Sequence, residues 1–145
     1  MDEVRRARGS TITLTPIGHV ERSEGDSGLQ GDELRSRPAR IVLDPEVTDG
    51  LLGLEAGSAV LVLCYFHQSD RNVLQVHPMG DVQNPLRGVF ATRSPARPNP
   101  IALTSARIQR IEDNVLQVLG LDALNGTPVL DIKPYAESFD TPYSA

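Results

Sequence analysis

Cysteine is nearly absent. Cys64 is the single one in 145 residues, which excludes an intrachain disulfide and denies any metal site a pair of thiolates. It lies in the apolar run AVLVLCYF, where a cysteine reads as a small buried hydrophobe rather than a catalytic thiol. The three histidines, His19, His67 and His77, lack the spacing of metal ligands, so no metal is expected. Lysine is equally scarce: of fourteen basic residues only Lys133 is lysine, and the net charge is −5. That balance excludes a broad cationic surface for nucleic acid. Any RNA contact must be local and made by clustered arginines, whose planar forks suit carboxylate and phosphate oxygens. No apolar run approaches the length needed to span a bilayer. The opening MDEVRRARGS carries charges but no apolar signal core. A cytoplasmic protein without a membrane partner is expected. Internal repeats, low-complexity linkers and clear helical periodicity are also missing.

What remains is a chain of short apolar stretches punctuated by 11 prolines and 12 glycines, a composition that favours short strands and many turns. Residues 1–10, with Arg5, Arg6 and Arg8, read as a disordered tail, and 11–145 as a single domain. Thr11 to Val20 alternates as a strand that Pro16 bends or pushes to an edge. Ser23 to Pro38 is a long loop without clear period, and Ala39 to Leu43 a short strand. Asp44-Pro45-Glu46 starts a brief helix, with an N-cap acid, a first-turn proline and a carboxylate near the positive dipole end. Ser58 to His67 is the most hydrophobic run and predicts a buried central strand. Val73 to His77 is its expected hairpin partner. Ile101 to Ile111 and Val115 to Asp122 form a second hairpin around Glu112-Asp113-Asn114. Asn125-Gly126 is a strong turn signal, and Val129 to Lys133 is a last strand stopped by Pro134. Strands of this length and spacing point to a barrel or a sandwich.

One stretch does not fit a connector. In GVFATRSPARPNPIALTS, Pro95, Pro98 and Pro100 fall within six residues, with Arg93, Arg97 and Asn99 among them. Proline fixes φ, removes a donor and pushes its predecessor to extended backbone, so the segment is a stiff, kinked loop. Gly88 to Ala91 is expected to enter it as a strand and Ile101 to Leu103 to leave as another. A rigid cationic loop on a strand scaffold reads as a binding element; a plain solvated connector is the rival reading.

This stretch resembles the signature of the TsaA-like (YaeB-type) family. GTPVLDIKPY, from Gly126 to Tyr135, resembles its second block at the expected distance. With PIGHV at Pro16 and Phe66-His67, the similarity covers roughly residues 12 to 142. The resemblance implies a mainly β protein: a small closed or partly closed β-barrel, largely antiparallel, with one short helix. It implies an S-adenosylmethionine-dependent tRNA methyltransferase acting on the exocyclic amine of threonylcarbamoyl-adenosine beside the anticodon. It also implies a homodimer, since two chains share the active-site region in the family. Carried over position by position, the cofactor contacts would be Phe66, His67, Arg93, Leu103 and the turn Asp122-Ala123-Leu124-Asn125. Of the family's Pro-Arg-Gln contact only Gln30 matches here.

In VLDIKP a period of two places Val129, Asp131 and Lys133 on one face and Leu130 and Ile132 on the other. Without the resemblance, Asp131 and Lys133 read as solvent-facing alternation; with it, Asp131, Lys133 and Tyr135 form a polar wall of the site, with Arg97 and Asn99 on the substrate loop. S-adenosylmethionine carries its own cationic leaving group, so the protein mainly has to align an amine with the methyl carbon. An arginine can clamp the methionine carboxylate, and the target base must be splayed from its neighbours. Asp131 and Asp122 are candidate proton acceptors, beside a backbone carbonyl or water. Two positions depart from the family pattern: Asn125 replaces the usual Asp before GTP, and Ala102 the usual Gly after PNPI. The chain also ends soon after DIKPY, where longer members append a small domain. A non-catalytic S-adenosylmethionine-binding or regulatory barrel, or a small-molecule methyltransferase, are the alternatives.

Overall fold

A computed structural model describes residues 10–144; the proposed tail with Arg5, Arg6 and Arg8 lies outside them. Eight strands and two short α-helices follow in order: β1 (Gly18–Glu21), α1 (Gly31–Arg35), β2 (Ala39–Leu43), β3 (Ala59–Tyr65), β4 (Gln75–Val76), β5 (Arg87–Gly88), β6 (Ile101–Glu112), β7 (Val115–Leu119), β8 (Pro128–Pro134) and α2 (Glu137–Asp140). Six of them close into an antiparallel barrel in the order β1-β2-β7-β6-β3-β8, and β4 pairs with β5 in a separate ribbon. The mainly β expectation holds. Contacts divide the chain into two units: 16–65 with 103–145, which holds the barrel, and 1–15 with 66–102, which holds the ribbon and the proline-rich loop.

The barrel follows from alternation. Val60, Val62 and Cys64 on β3, Ile41 and Leu43 on β2, Leu116 and Val118 on β7, and Val20, Ile108 and Val129 are all 3% exposed or less. β-branched and Leu side chains at every second position make one face of each strand apolar, and closing the sheet hides all those faces together. Each fully buried side chain of this size contributes about 1.5–3 kcal/mol. Strand β1 meets β2 closely at Gly18, where a side-chain carbon would lie 2.2 Å from the Val42 carbonyl oxygen. Only glycine fits there.

Several expectations are corrected. The strand over 11–20 shortens to Gly18–Glu21, and Ile12 and Leu14 before it are exposed. The 23–38 loop contains α1. The brief helix at Pro45 is a 3-10 turn over Pro45–Leu51 with Asp44 at its N-cap. The hairpin pairing of β3 with 73–77 does not form: β3 pairs with β8, and Gln75–Val76 pairs with Arg87–Gly88. Val89–Ala91 is a 3-10 turn rather than an entering strand, because the chain must turn directly after Gly88. Finally, β8 carries a bulge. Cys64 stands opposite Val129 and Leu63 opposite Asp131, so Leu130 is an extra residue. The bulge resets the alternation, so Val129 and Ile132, not Val129 and Asp131, share the core face of β8. The β6–β7 hairpin forms as expected, turning at Asp113-Asn114 with Asp113 at φ 52.

Candidate functional site

In the barrel unit the candidate residues gather on two stretches. The first is the connection between β7 and β8. Gly120 opens it at φ 102, and a side-chain carbon there would sit 3.0 Å from the Ser105 carbonyl oxygen. Leu121 and Ala123 then turn inward, 0% and 2% exposed, while Leu124 is 58% exposed. An extended backbone alternates its side chains, so Asp122 and Leu124 point outward. The turn is closed by Thr127, whose N–H and hydroxyl both donate to the Leu124 carbonyl, at 3.2 and 2.8 Å, and by the Gly126 N–H on the Val20 carbonyl at 2.7 Å. Partial burial raises the Asp122 carboxyl above its ordinary value, against the opposing pull of Arg35 and Arg22. That makes it a more basic carboxylate than a free one.

The second stretch is the end of β8. Lys133 Nζ lies 3.0 Å from Asp131 Oδ2, both side chains about half exposed, and Asp131 Oδ1 accepts the Ile132 N–H at 2.9 Å. A pair this wet is worth about 0–1 kcal/mol, so it shapes local charge more than it stabilises. Tyr135 follows, half exposed, with its N–H on the Ala59 carbonyl. Leu103 on β6 is 42% exposed. Gln30 stands exposed at the N-cap of α1.

The loop unit holds Phe66, His67, Arg93, Arg97 and Asn99. Here the stiffness comes from arginines as well as prolines. Arg97 turns its guanidinium onto the loop's own carbonyls, bonding Val89, Thr92 and Ser94, and its N–H donates to Asp70. Arg71 donates to the Pro98 carbonyl at 2.9 Å and to Asn99 Oδ1 at 3.3 Å. The Phe66 N–H reaches the Pro100 carbonyl at 2.9 Å, which fixes where Phe66-His67 leave the strand. Arg93 lines a shallow groove of about 350 Å³, together with Asn84, Arg87 and Thr92. The groove wall is held by Asn84, which donates to the Pro78 carbonyl and whose own carbonyl meets His77 Nδ1 at 2.9 Å. Two arginines lining one groove suit an anionic group such as a carboxylate.

Sequence patterns gave no sign of Arg22, Arg35 or Arg71. Their partners lie 12 to 103 positions away along the chain, and no local spacing announces such bonds. Among the described residues no group of three His, Cys, Asp or Glu side chains could hold a metal ion, and no helix is long and apolar enough to cross a membrane.

Comparison with known proteins identifies the family. A family model described as the tRNA-methyltransferase O N-terminal domain matches residues 22–141. A probable S-adenosyl-L-methionine-binding protein of Methanocaldococcus jannaschii is 43% identical over 89% of this chain and 96% of its own length. A human tRNA (adenine(37)-N6)-methyltransferase is 41% identical over 71% of this chain and 23% of its own. The crystal structure of TrmO from Pseudomonas aeruginosa matches with a TM-score of 0.69 at 32% identity, over 95% of this chain and 61% of that one. The chain thus spans about three fifths of the TrmO structures it matches.

Proposed function

Since the chain belongs to the tRNA-methyltransferase O family by its match over residues 22–141, we propose that it is an S-adenosylmethionine-dependent tRNA methyltransferase. The acceptor is the exocyclic amine of a modified adenosine, threonylcarbamoyl-adenosine, beside the anticodon. The family match carries this reading, and the activity for which the human relative is named supports the adenine amine as target. The chain acts in the cytoplasm as a homodimer.

The donor set fits the cofactor. Arg93, on the rim of its groove with Arg87, suits the carboxylate of the methionine part. The turn Asp122 to Asn125 offers backbone groups and the outward Leu124 side chain to an adenine ring. Phe66, His67, Leu103 and Gln30 complete the assigned contacts. Bound S-adenosylmethionine supplies a methyl group on a cationic sulfur, which leaves orientation and one proton to the protein. Asp122 Oδ takes that proton: its side chain stands outward on the cofactor turn with a raised proton affinity, whereas Asp131 is paired with Lys133. Arg97 and Asn99 keep the substrate loop rigid, so little freedom is lost on binding.

The test is transfer of labelled methyl from S-adenosylmethionine to tRNA lacking the modification, beside calorimetric titration of the wild type and Arg93→Ala. Methylated adenosine, and cofactor affinity at least about tenfold weaker in Arg93→Ala, are expected. A binding-only role is the second reading. One observation supports it: the archaeal relative, matched over 96% of its length, is named for binding alone. Cofactor binding without methyl transfer would establish it.

A further inference from the structure

Arg22 belongs to none of the contact sets above, yet its guanidinium meets four backbone carbonyls. Nε donates to Ala123 at 2.6 Å and Nη2 to Leu121; Nη1 donates to Leu34 at 3.2 Å and Arg37 at 3.3 Å. The Arg22 backbone N–H donates to Asn125 Oδ1 at 2.9 Å. Residue 22 therefore fastens Leu121 and Ala123, the inward points of the β7–β8 connection, together with the exposed Asn125, and ties them to the end of α1. A second arginine closes the same link one residue earlier. Arg35 Nε donates to the Gly120 carbonyl at 2.8 Å, and the Gly120 N–H returns to the Arg35 carbonyl at 2.9 Å. The residues left facing outward are Asp122 and Leu124.

We propose that Arg22 is a positioning residue that sets the shape in which Asp122 to Asn125 meets the cofactor; this rests on the methyltransferase reading. The planar fork is what the task needs, because one guanidinium spans carbonyls on two sides, whereas an ammonium concentrates its donors on a single atom. The same geometry explains Asn125. Its amide oxygen accepts the Arg22 N–H as a carboxylate oxygen would, so the family's aspartate is replaced without losing the acceptor. The side chain of Asn125 holds the turn through this bond at the surface.

The experiment compares wild type, Arg22→Lys and Arg107→Lys. Arg107 donates to the Gly57 carbonyl elsewhere on the barrel and controls for loss of an ordinary arginine–carbonyl bond. Amide hydrogen exchange is followed without cofactor, and S-adenosylmethionine affinity by calorimetry. In Arg22→Lys the Gly120, Gly126 and Thr127 amides exchange at least about tenfold faster, while the β2–β7 ladder keeps its protection. Cofactor affinity falls about tenfold, and Arg107→Lys changes neither. Unchanged exchange in Arg22→Lys overturns the proposal whether or not the cofactor binds. Faster exchange with unchanged affinity overturns it too. Absence of binding by the wild type sinks the methyltransferase reading instead, while exchange still decides whether Arg22 holds the turn. Should Arg22→Lys not fold, Arg35→Lys releases the same segment at Gly120, and the same pair of changes, about threefold each, is required.

Discussion

Burial pushes the Cys64 thiol up to about 12, in a side chain only 2% exposed. The thiolate is the reactive form, so Cys64 should resist thiol reagents at pH 8 in the native protein and react fully once the chain is unfolded in guanidinium. The apolar run around it made this readable without coordinates. Asp122 is the opposite case: its identity was suggested by resemblance, but its electrostatics needed the fold. The folded state raises its proton affinity. Such a group adds stability below the ordinary carboxylate pKa and loses it as pH rises through the raised value. At neutral pH its charge therefore opposes folding, despite Arg35 and Arg22. Asp122→Asn should be at least as stable as wild type at pH 7 by urea unfolding. Its stability should vary less with pH in the mildly acidic range, while methyl transfer falls. A variant that is less stable at pH 7 would show that ion pairing outweighs desolvation here.

Among the elements, the β7–β8 connection depends most on a single residue. Gly120 combines φ 102 with a carbonyl oxygen 3.0 Å from where a side chain would begin. Gly120→Ala should cost about 1–3 kcal/mol in urea unfolding and should weaken cofactor binding, because the strain falls on the segment that carries Asp122. The strands themselves were largely legible. Alternation located β2, β3, β6, β7 and β8 within a few residues, since one buried face demands a period of two. The exceptions have local causes that composition does not reveal. Val89-Phe90-Ala91 has strand-like residues but turns, leaving Phe90 83% exposed. The bulge at Leu130 shifted the faces of β8 with no glycine or proline to mark it.

The whole molecule is acidic, at −5, and five of its thirteen arginines, Arg22, Arg35, Arg71, Arg97 and Arg107, donate to its own backbone oxygens. Those five guanidinium groups are committed to the fold rather than to phosphates. If tRNA is the substrate, its affinity should fall only about ten- to thirtyfold between 50 and 200 mM salt, as two or three phosphate contacts imply. A loss of a thousandfold would reveal a broader cationic face. Such economy could not be seen in the composition, where every arginine counts alike. Strand partners were equally hidden: β3 joins β8 and not the nearer 73–77, because which edges meet is decided by closure of the sheet.

That closure has a consequence for how the protein is made. The first strand completes its pairing on the last, Gly18 opposite Val129 and His19 opposite Pro128. During synthesis at about 5–20 residues per second, β1 and β3 must wait several seconds with unpaired edges before β8 leaves the ribosome. Closure of the barrel therefore waits for its last strand, and the nascent chain is the form in which chaperones should meet it.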